Sequence, residues 1–354
     1  MKSPARLALT AVPLAFLLAL LVAPALRLLA EGGHVSWWEP VQDSYLRWRL
    51  AWSTAQAALT CLAALALGLP VAWVLARFEF AGRALVIHAL MLPFVVPTLV
   101  AAMGVLALLG PHGVISAQLG LDLQGGPWLL IYGNLFFNLC LVVRSATEAL
   151  GQVSASRVAA ARTLGATPWR VFWRVEWPAI TPWLMSALCL VFLYCFSGFG
   201  LALVLGGQEY ATAEVEIYSL VAHELQLAQA GALALWVLGI TALVALAYAL
   251  VERRLATPSR ADVVARRAPQ GWRQWASVVV ALAVLALFCA APLVAIVWRA
   301  AAAGFSAWAV LWAEPTLLAL WNSLRFTVLA VALATGLGLA HALAARRSLV
   351  MRTL

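Results

Sequence analysis

Long runs of apolar residues recur along the whole of this 354-residue chain, separated by short polar connections. A helix needs about 20 mostly apolar residues to cross the hydrocarbon core of a bilayer, and these runs reach that length. A transmembrane β-barrel would require short segments of alternating apolar and polar residues, which this sequence does not show. The pattern predicts an all-α membrane protein, a polytopic helical bundle. The expected spans are residues 8–30, 50–76, 84–109, 127–147, 179–205, 229–251, 275–298 and 317–345.

The first of these spans has an alternative interpretation as a secretory signal peptide. Lys2 and Arg6 precede its apolar run, which reaches the small-residue sequence Ala23-Pro24-Ala25. Because the run is long for a signal peptide and further spans follow it, we expect a retained helix.

Composition agrees with a membrane protein and excludes a soluble one. The chain is 65% hydrophobic and only 10% charged, more apolar surface than a soluble fold of this length buries. All five cysteines fall inside apolar runs, which argues against a disulfide framework or a zinc site. The net charge is +9, and the basic residues lie mainly in the short connections between spans. Membrane topology explains this distribution, so we expect a lipid bilayer as partner and no nucleic acid.

Charge is distributed unevenly between the two sides of the predicted bundle. With the N-terminus in the cytoplasm, 18 of the 23 Lys and Arg residues lie in cytoplasmic segments. Since short cytoplasmic loops are enriched in Lys and Arg, this arrangement predicts a cytoplasmic N-terminus. The outer side carries four acids, Glu209, Glu214, Glu216 and Glu224. One interpretation is that they face a soluble partner or attract a cationic solute; the other is that they form an ordinary solvated surface.

The last apolar run resembles the second one. Residues 53–77 and residues 323–346 both begin with Ser, contain Leu-Gly-Leu and end with Ala-Arg. We interpret residues 1–251 as a first copy of six spans, residues 252–274 as a basic cytoplasmic linker, and residues 275–354 as the start of a second copy. A parallel repeat that stops after two spans leaves surfaces without partners, so we expect a longer natural protein of about 12 spans.

The most informative polar segment, residues 148–178, lies between the fourth and fifth spans. Ser154 can cap a helix, and residues 155–164 are mainly good helix formers. Gly165 follows where glycine commonly ends a helix, and Thr167-Pro168 are suited to begin the next one. The segment therefore predicts a helix, a glycine turn and a second helix on the cytoplasmic face. We expect the proline at position 178 to end that second helix near the membrane.

Spacing within this segment favours a specific function over an amphipathic linker on the membrane surface. It resembles the EAA signature of binding-protein-dependent ABC permeases. In that signature Glu-Ala-Ala is followed by a glycine, and after nine more residues comes Ile-x-Leu-Pro. Ala160-Ala161 and Gly165 occupy the alanine and glycine positions, and Val175-Glu176-Trp177-Pro178 follows. Ala159 replaces the glutamate, which removes one polar contact, and Val175 and Trp177 replace the Ile and Leu.

This resemblance implies the type I ABC importer permease fold in a bacterial inner membrane. In that family the loop is a coupling helix that docks on a cytoplasmic dimer of ABC ATPase subunits, while a periplasmic binding protein delivers the solute. The chain would be a transport subunit and not an enzyme, without a cofactor of its own; ATP and Mg²⁺ belong to the ATPase. By resemblance, the residues of the ATPase contact are Ala159, Ala160, Ala161, Arg162, Leu164, Gly165, Ala166 and Pro178.

Two further stretches resemble a branch of two-copy permeases that serve ferric iron, thiamine and similar solutes. They are residues 91–110 in the third span and residues 196–218 around the end of the fifth. The resemblance covers most of residues 50–250 and implies thiamine and its phosphates as cargo. Ferric iron or another small solute is the alternative.

Prolines and glycines inside the apolar runs indicate where a solute pathway lies, because broken helices in membranes tend to line cavities. Aromatic side chains nearby offer faces to a cationic or aromatic ring. Hydrogen bonds between helices and ordinary packing are the alternative explanation of the same residues. The candidate pathway residues are Pro93, Pro97, Asn134, Asn138, Tyr194, Phe196, Gly198 and Phe199.

Two rival classes fit the sequence less well. A secondary transporter usually carries ionisable residues within its spans, and here only Arg144 and Arg325, near span ends, are candidates. A membrane enzyme needs converging catalytic side chains, whereas the five histidines are scattered and only His223 neighbours an acid, Glu224.

Overall fold

The computed structural model describes residues 15–16, 18–32, 37–120, 123, 126–255 and 265–345, and most of them are helical. Over these ranges the β-pairing consists of a single bridge, between Phe78 and Arg267. The α-helices in the described ranges are Ala23–Gly32 (α1), Glu39–Gln42 (α2), Ser44–Arg77 (α3), Arg83–Ala89 (α4), Leu92–Val95 (α5), Thr98–Leu109 (α6), Val114–Leu119 (α7), Trp128–Gly151 (α8), Ala155–Thr163 (α9), Pro168–Val171 (α10), Trp177–Phe196 (α11), Phe199–Leu205 (α12), Ala213–Ala222 (α13), Leu227–Leu255 (α14), Gly271–Leu285 (α15), Ala291–Ala302 (α16) and Glu314–Ala345 (α17). Short π-helical turns lie at Leu18–Val22, Phe172–Glu176 and Ala286–Ala290, and a 3₁₀ segment at Phe305–Trp312.

Seven helical stretches in the described ranges are long and apolar enough to cross a membrane. They correspond to the predicted spans from the second to the eighth, and most ends differ by a few residues. The third span instead covers Thr98–Leu119 where residues 84–109 were predicted, and the fifth covers Pro168–Phe196 where residues 179–205 were predicted. The predicted first span, residues 8–30, lies largely outside the described residues. The seven stretches are Ser44–Arg77, Thr98–Leu119, Trp128–Gly151, Pro168–Phe196, Leu227–Glu252, Gly271–Ala302 and Glu314–Ala340.

The third predicted span is interrupted. The sequence predicts a single span over residues 84–109, but the chain forms α4, α5 and α6 with extended backbone at Val96. Proline lacks a backbone N–H and keeps the preceding residue out of the helical region, so Pro97 separates α5 from α6. The fifth span is also broken, because α11 ends at Phe196 and α12 begins only at Phe199, after Gly198.

Pro178 does not end a helix, contrary to our expectation. From α10 the chain passes through the π-turn Phe172–Glu176 directly into α11, in which Pro178 is the second residue. In this wider turn the N–H of Trp177 bonds to the carbonyl oxygen of Phe172. A π-turn leaves room for the proline ring, so the helix continues where a regular α-helix would clash.

Residue contacts divide the chain into two compact units, Val35–Arg299 and the combination of Met1–His34 with Ala300–Leu354. In the first unit α3 is central and packs against α8, α11 and α15, while α11 also packs against α14. Glycine allows the helices to approach closely: a Cβ added to Gly68 of α3 would lie 3.1 Å from Val142 Cγ1 of α8. In the second unit α17 exposes apolar side chains along its length, a surface suited to hydrocarbon.

Replacement of Gly68 by valine should lower the thermal stability of the detergent-solubilised protein. The added side chain would overlap Val142 and Leu139, and overpacking of this kind typically costs about 1–3 kcal/mol. Gly239→Val in α14 is the matched control, because no heavy atom lies within 4 Å of a Cβ built there. Equal unfolding temperatures for the two variants would contradict the close α3–α8 contact.

Candidate functional site

The polar segment between α8 and α11 forms the helix, glycine turn and helix that its sequence predicts. Ser154 Oγ accepts a hydrogen bond from the N–H of Arg157 and caps α9. At the other end Gly165 has φ +79°, and the N–H groups of Gly165 and Ala166 bond to the carbonyl oxygens of Arg162 and Ala161. This pair of hydrogen bonds is the Schellman arrangement, which requires the left-handed conformation that glycine adopts readily.

The candidate contact residues divide between two sides of this segment. Val158 is buried, and Ala161 and Ala166 pack against the hydrophobic core. Leu164, at the tip of the turn, is 88% exposed, the highest value among the large apolar side chains of the described residues. The outward side combines small residues, a glycine turn and one leucine. Its exposed members are Ala159, Ala160, Arg162, Leu164 and Gly165, and Pro178 is exposed further along the chain.

A buried ion pair fixes the far end of the segment to α3. Arg77, the last residue of α3, donates a hydrogen bond to Glu176 Oε1, and the Glu176 side chain is only 3% exposed. The Arg77 guanidinium also lies 5.9 Å from the ring of Trp73. Sequence reasoning missed this pair, although Glu176 is the one acid in an aromatic stretch at the start of a span. The pair positions the segment relative to the longest helix of the core.

The same end of α3 holds the chain that leads into α15. The N–H of Arg267 bonds to the carbonyl oxygen of Arg77, and the N–H of Glu79 bonds to that of Arg267. The Glu79 carboxylate lies 3.5 Å from Arg266 Nη1 and 3.8 Å from Arg83 Nη1. These contacts attach the C-terminal end of the predicted basic linker; its residues 256–264 lie outside the described part.

A cavity of about 300 Å³ lies where the two broken spans meet α8. Its walls bring together five of the candidate pathway residues. Pro93 and Phe196 are instead buried, and Pro97 separates the two helices at one wall. The Phe94 and Tyr194 rings meet edge to face, with centroids 5.7 Å apart. The lining residues are Phe94, Val96, Thr98, Asn134, Phe137, Asn138, Tyr194, Ser197, Gly198, Phe199, Gly200 and Leu201.

Buried polar side chains support the broken end of α11. Gln56 Nε2 of α3 donates to the carbonyl oxygen of Cys195 at 2.7 Å, and Gln56 Oε1 accepts from Asn134 Nδ2 at 2.8 Å. Asn138 Nδ2 donates to the carbonyl oxygen of Asn134 at 2.9 Å and lies 3.3 Å from Cys195 Sγ. Hydrogen bonds to α3 and α11 therefore explain much of the reason why two asparagines are buried here, as the alternative explanation of these residues expected. Sequence reasoning missed Gln56, whose signal was a polar face that it shares with Ser53 and Thr60.

On the predicted outer side, Arg49 of α3 organises the connection between α12 and α13. Its guanidinium donates to Glu216 Oε2 at 3.1 Å and to the carbonyl oxygens of Gln208 and Glu209 at 2.9 and 2.8 Å. Tyr45 donates its hydroxyl proton to the same Glu216 oxygen at 2.8 Å. Glu216 is thus a buried structural partner, unlike a freely solvated surface acid.

Comparison with known families now identifies the class of the chain. A family described as binding-protein-dependent transport system inner membrane component matches residues 64–257, more than half of the chain. The chain belongs to this permease family. The matched range contains both the helix–turn–helix segment and the cavity, and it confirms the resemblance drawn from the EAA-like spacing.

The permease is similar to several characterised relatives. The thiamine transport system permease protein ThiP of Escherichia coli is 31% identical over 239 residues, covering 66% of this chain and 43% of that protein. ThiP of Brucella abortus is 34% identical over 235 residues, or 62% and 43% of the two chains. The sulfate transport system permease protein CysW of Synechocystis is 31% identical over 206 residues, or 56% and 74%. The permease thus spans less than half the length of these thiamine permeases.

Solved structures agree on the fold. A bacterial alginate ABC transporter, in complex with an alginate pentasaccharide-bound periplasmic protein, matches with a TM-score of 0.55 and 18% identity. The match covers 69% of the permease and 92% of that chain. The expected type I permease fold and the multi-pass inner-membrane location are confirmed, and the family match identifies the chain as an inner membrane component of a transport system.

Replacement of Glu176 by glutamine should loosen the helix–turn–helix segment of the permease. Loss of one partner leaves Arg77 partly buried without its counter-charge, and disruption of buried pairs typically costs about 3–5 kcal/mol. Amide hydrogen exchange over residues 155–176 should accelerate in this variant. Glu148→Gln is the control, because its pair with Arg144 is about half exposed and contributes little. Unchanged exchange in Glu176→Gln would contradict a fixing role.

Proposed function

We propose that this chain is the transmembrane permease subunit of an ATP-driven ABC importer, with its N-terminus in the cytoplasm. It receives solute from a periplasmic binding protein and couples transport to a cytoplasmic ATPase dimer, on which ATP and Mg²⁺ bind. The observation that carries this proposal is the exposed turn at Leu164 and Gly165, which occupies the position of the family's coupling signature. A smooth, glycine-ended helix suits insertion into a groove of another protein, and burial of Leu164 there would contribute about 1.5–3 kcal/mol.

The helical connection from this turn supports a mechanical role. α10, the π-turn and α11 form one 29-residue helical stretch from Pro168 to Phe196, about 43 Å long at 1.5 Å per residue. One end begins next to the exposed turn, and the other ends at the wall of the cavity. A displacement of the turn by the closing ATPase dimer would therefore reach the cavity along a single rigid element.

For the cargo we propose thiamine and its phosphates, with ferric iron, sulfate or another small solute as the alternative. Similarity to the thiamine permeases supports this choice, and so does the chemistry of the cavity. The described residues that line it are aromatic, apolar or neutral polar and include no charged side chain. Aromatic faces suit a thiazolium ring, whereas a small hard ion would lack a counter-charge there. Phosphate groups would need partners elsewhere along the pathway.

Replacement of Gly165 by aspartate in the full-length permease should abolish solute uptake while membrane insertion remains normal. The substitution adds a charge at the docking tip and strains a residue with φ +79°. Gly82→Asp is the matched control, because Gly82 has φ +86° and, like Gly165, no heavy atom within 4 Å of a built Cβ. Uptake and co-purification of the ATPase report the outcome. Equal losses in both variants would attribute the effect to backbone strain and refute the docking role.

Uptake of labelled thiamine at limiting concentration should depend on this permease. Cells that carry only this thiamine uptake system should accumulate the label, and deletion of the gene should abolish accumulation. Excess unlabelled thiamine should compete, whereas sulfate and ferric ion should not, because the cavity lining offers them no charge partner. Gene-dependent accumulation of sulfate or iron, without that of thiamine, would establish the alternative cargo.

A further inference from the structure

Four aromatic side chains cluster where the helix–turn–helix segment joins α11. They lie within nine residues, on α10, the π-turn and the first residue of α11, and their ring centroids are 5.3–6.5 Å apart. The outermost two project from the protein, since Trp169 is 70% exposed and Trp173 is 43% exposed. The cluster consists of Trp169, Phe172, Trp173 and Trp177.

Two exposed arginines lie beside these rings. Arg170 and Arg174 each follow one of the exposed tryptophans. Residues four apart in a helix share a face, so the tryptophan pair and the arginine pair occupy neighbouring faces. The one acid of residues 153–178 is Glu176, which is buried and pairs with Arg77. Neither exposed arginine forms an ion pair with any residue that the structure describes.

The length of this helical stretch places the exposed side chains at the edge of the bilayer. Pro168–Phe196 is about 43 Å long, whereas the hydrocarbon core is about 30 Å thick, so about nine residues extend beyond the hydrocarbon. Exposed arginines are unfavourable in hydrocarbon, so the excess lies at the end that carries Arg170 and Arg174. This end is therefore level with the lipid headgroups, where tryptophan is enriched.

A second span supports this position. α15 begins at Gly271, four residues after Arg267, whose N–H bonds to the end of α3. Its first turns carry the exposed residues Trp272 and Trp275, and the Arg273 guanidinium lies 5.6 Å from the Trp272 ring. Two spans thus carry exposed tryptophan next to arginine at the same end of α3, as expected where a bilayer surface crosses the bundle.

We propose that Trp169, Arg170, Trp173 and Arg174 form a surface that binds anionic phospholipids of the adjoining leaflet. Guanidinium groups bind phosphate oxygens through paired hydrogen bonds, and indole rings sit at the headgroup level. An anionic lipid is selected because the unpaired charges of this surface are both positive. The proposal goes beyond transport, since it depends on the membrane location and not on the solute. Such a lipid would hold the chain four residues from Gly165 of the exposed turn.

The test is photo-crosslinking with lipids that carry a photoreactive group. The full-length permease, purified with the subunits that accompany it, is reconstituted in vesicles that contain photoreactive phosphatidylglycerol or photoreactive phosphatidylcholine. Mass spectrometry of the digested protein then gives the yield on residues 168–177. In the wild type this yield should be at least tenfold higher for phosphatidylglycerol. Replacement of both Arg170 and Arg174 by glutamine should remove the difference, because each basic side chain at an anionic surface contributes a factor of about five.

Replacement of both Arg157 and Arg162 by glutamine is the matched control. These arginines are exposed on α9 of the same segment, and α9 contains no aromatic residue. This variant loses the same charge and should keep the preference for phosphatidylglycerol at residues 168–177. All four arginines are exposed, so the unfolding temperatures of both variants in detergent should match that of the wild type.

Three results would overturn the proposal. Equal yields from the two lipids in the wild type would show that the surface does not select anionic lipid. Equal losses in the two double variants would attribute the preference to overall charge. A surface that reacts with lipid in the isolated permease, but not when an accompanying subunit is bound, would be a protein contact instead.

Discussion

Polar groups within a membrane must find partners inside the protein, and one face of α3 meets that requirement for much of the core. Arg49, Ser53, Gln56 and Thr60 recur at helical spacing along this face, and all four are buried. Ser53 Oγ accepts the N–H of Ala213 at the start of α13, so this face holds the connection that Arg49 also contacts. Arg49 and Ser53 thus hydrogen-bond α3 to the connection between α12 and α13, and Gln56 hydrogen-bonds it to the broken end of α11.

Buried ion pairs mark the two ends of α3. Arg49 pairs with Glu216 at one end, and Arg77 pairs with Glu176 at the other. The desolvation of both partners offsets most of the attraction, so such pairs fix geometry more than they add stability. As a result, α13 and the π-turn before α11 are both positioned relative to the same helix, α3. In the proposed mechanism, α3 is the fixed element against which α11 moves.

Local rules predicted the parts of the structure that depend on neighbours in sequence. The apolar runs located the spans, and Ser154, Gly165 and Thr167 located the helix–turn–helix segment, because caps and left-handed glycine turns involve residues a few positions apart. The contacts of Gln56 with Cys195 and of Arg77 with Glu176 join residues 139 and 99 positions apart. Periodicity carries no information about such pairs, so sequence reasoning missed them.

Local sequence rules do not predict the structural effect of each proline. Pro97 and Pro178 have the same backbone chemistry, yet one separates two helices and the other lies inside a continuous stretch. The difference comes from the π-turn before Pro178, whose last residue, Glu176, pairs with Arg77 of α3. Tertiary contacts thus decided whether a proline interrupted a helix, and the sequence alone could not distinguish the two cases.

The break after α11 brings the two halves of the proposed mechanism to one place. Cys195, in the last turn of α11, accepts a hydrogen bond from Gln56 through its carbonyl oxygen and lies beside Asn138 Nδ2 through its sulfur. A shift of α11 driven from the exposed turn at Gly165 must stretch or exchange these hydrogen bonds before Ser197 and Gly198 can move. The same shift would change the shape of the cavity, because Tyr194, Ser197 and Gly198 line it. Solute recognition and coupling would then be linked through one turn of helix, because the element that transmits the motion also forms the wall that contacts the solute.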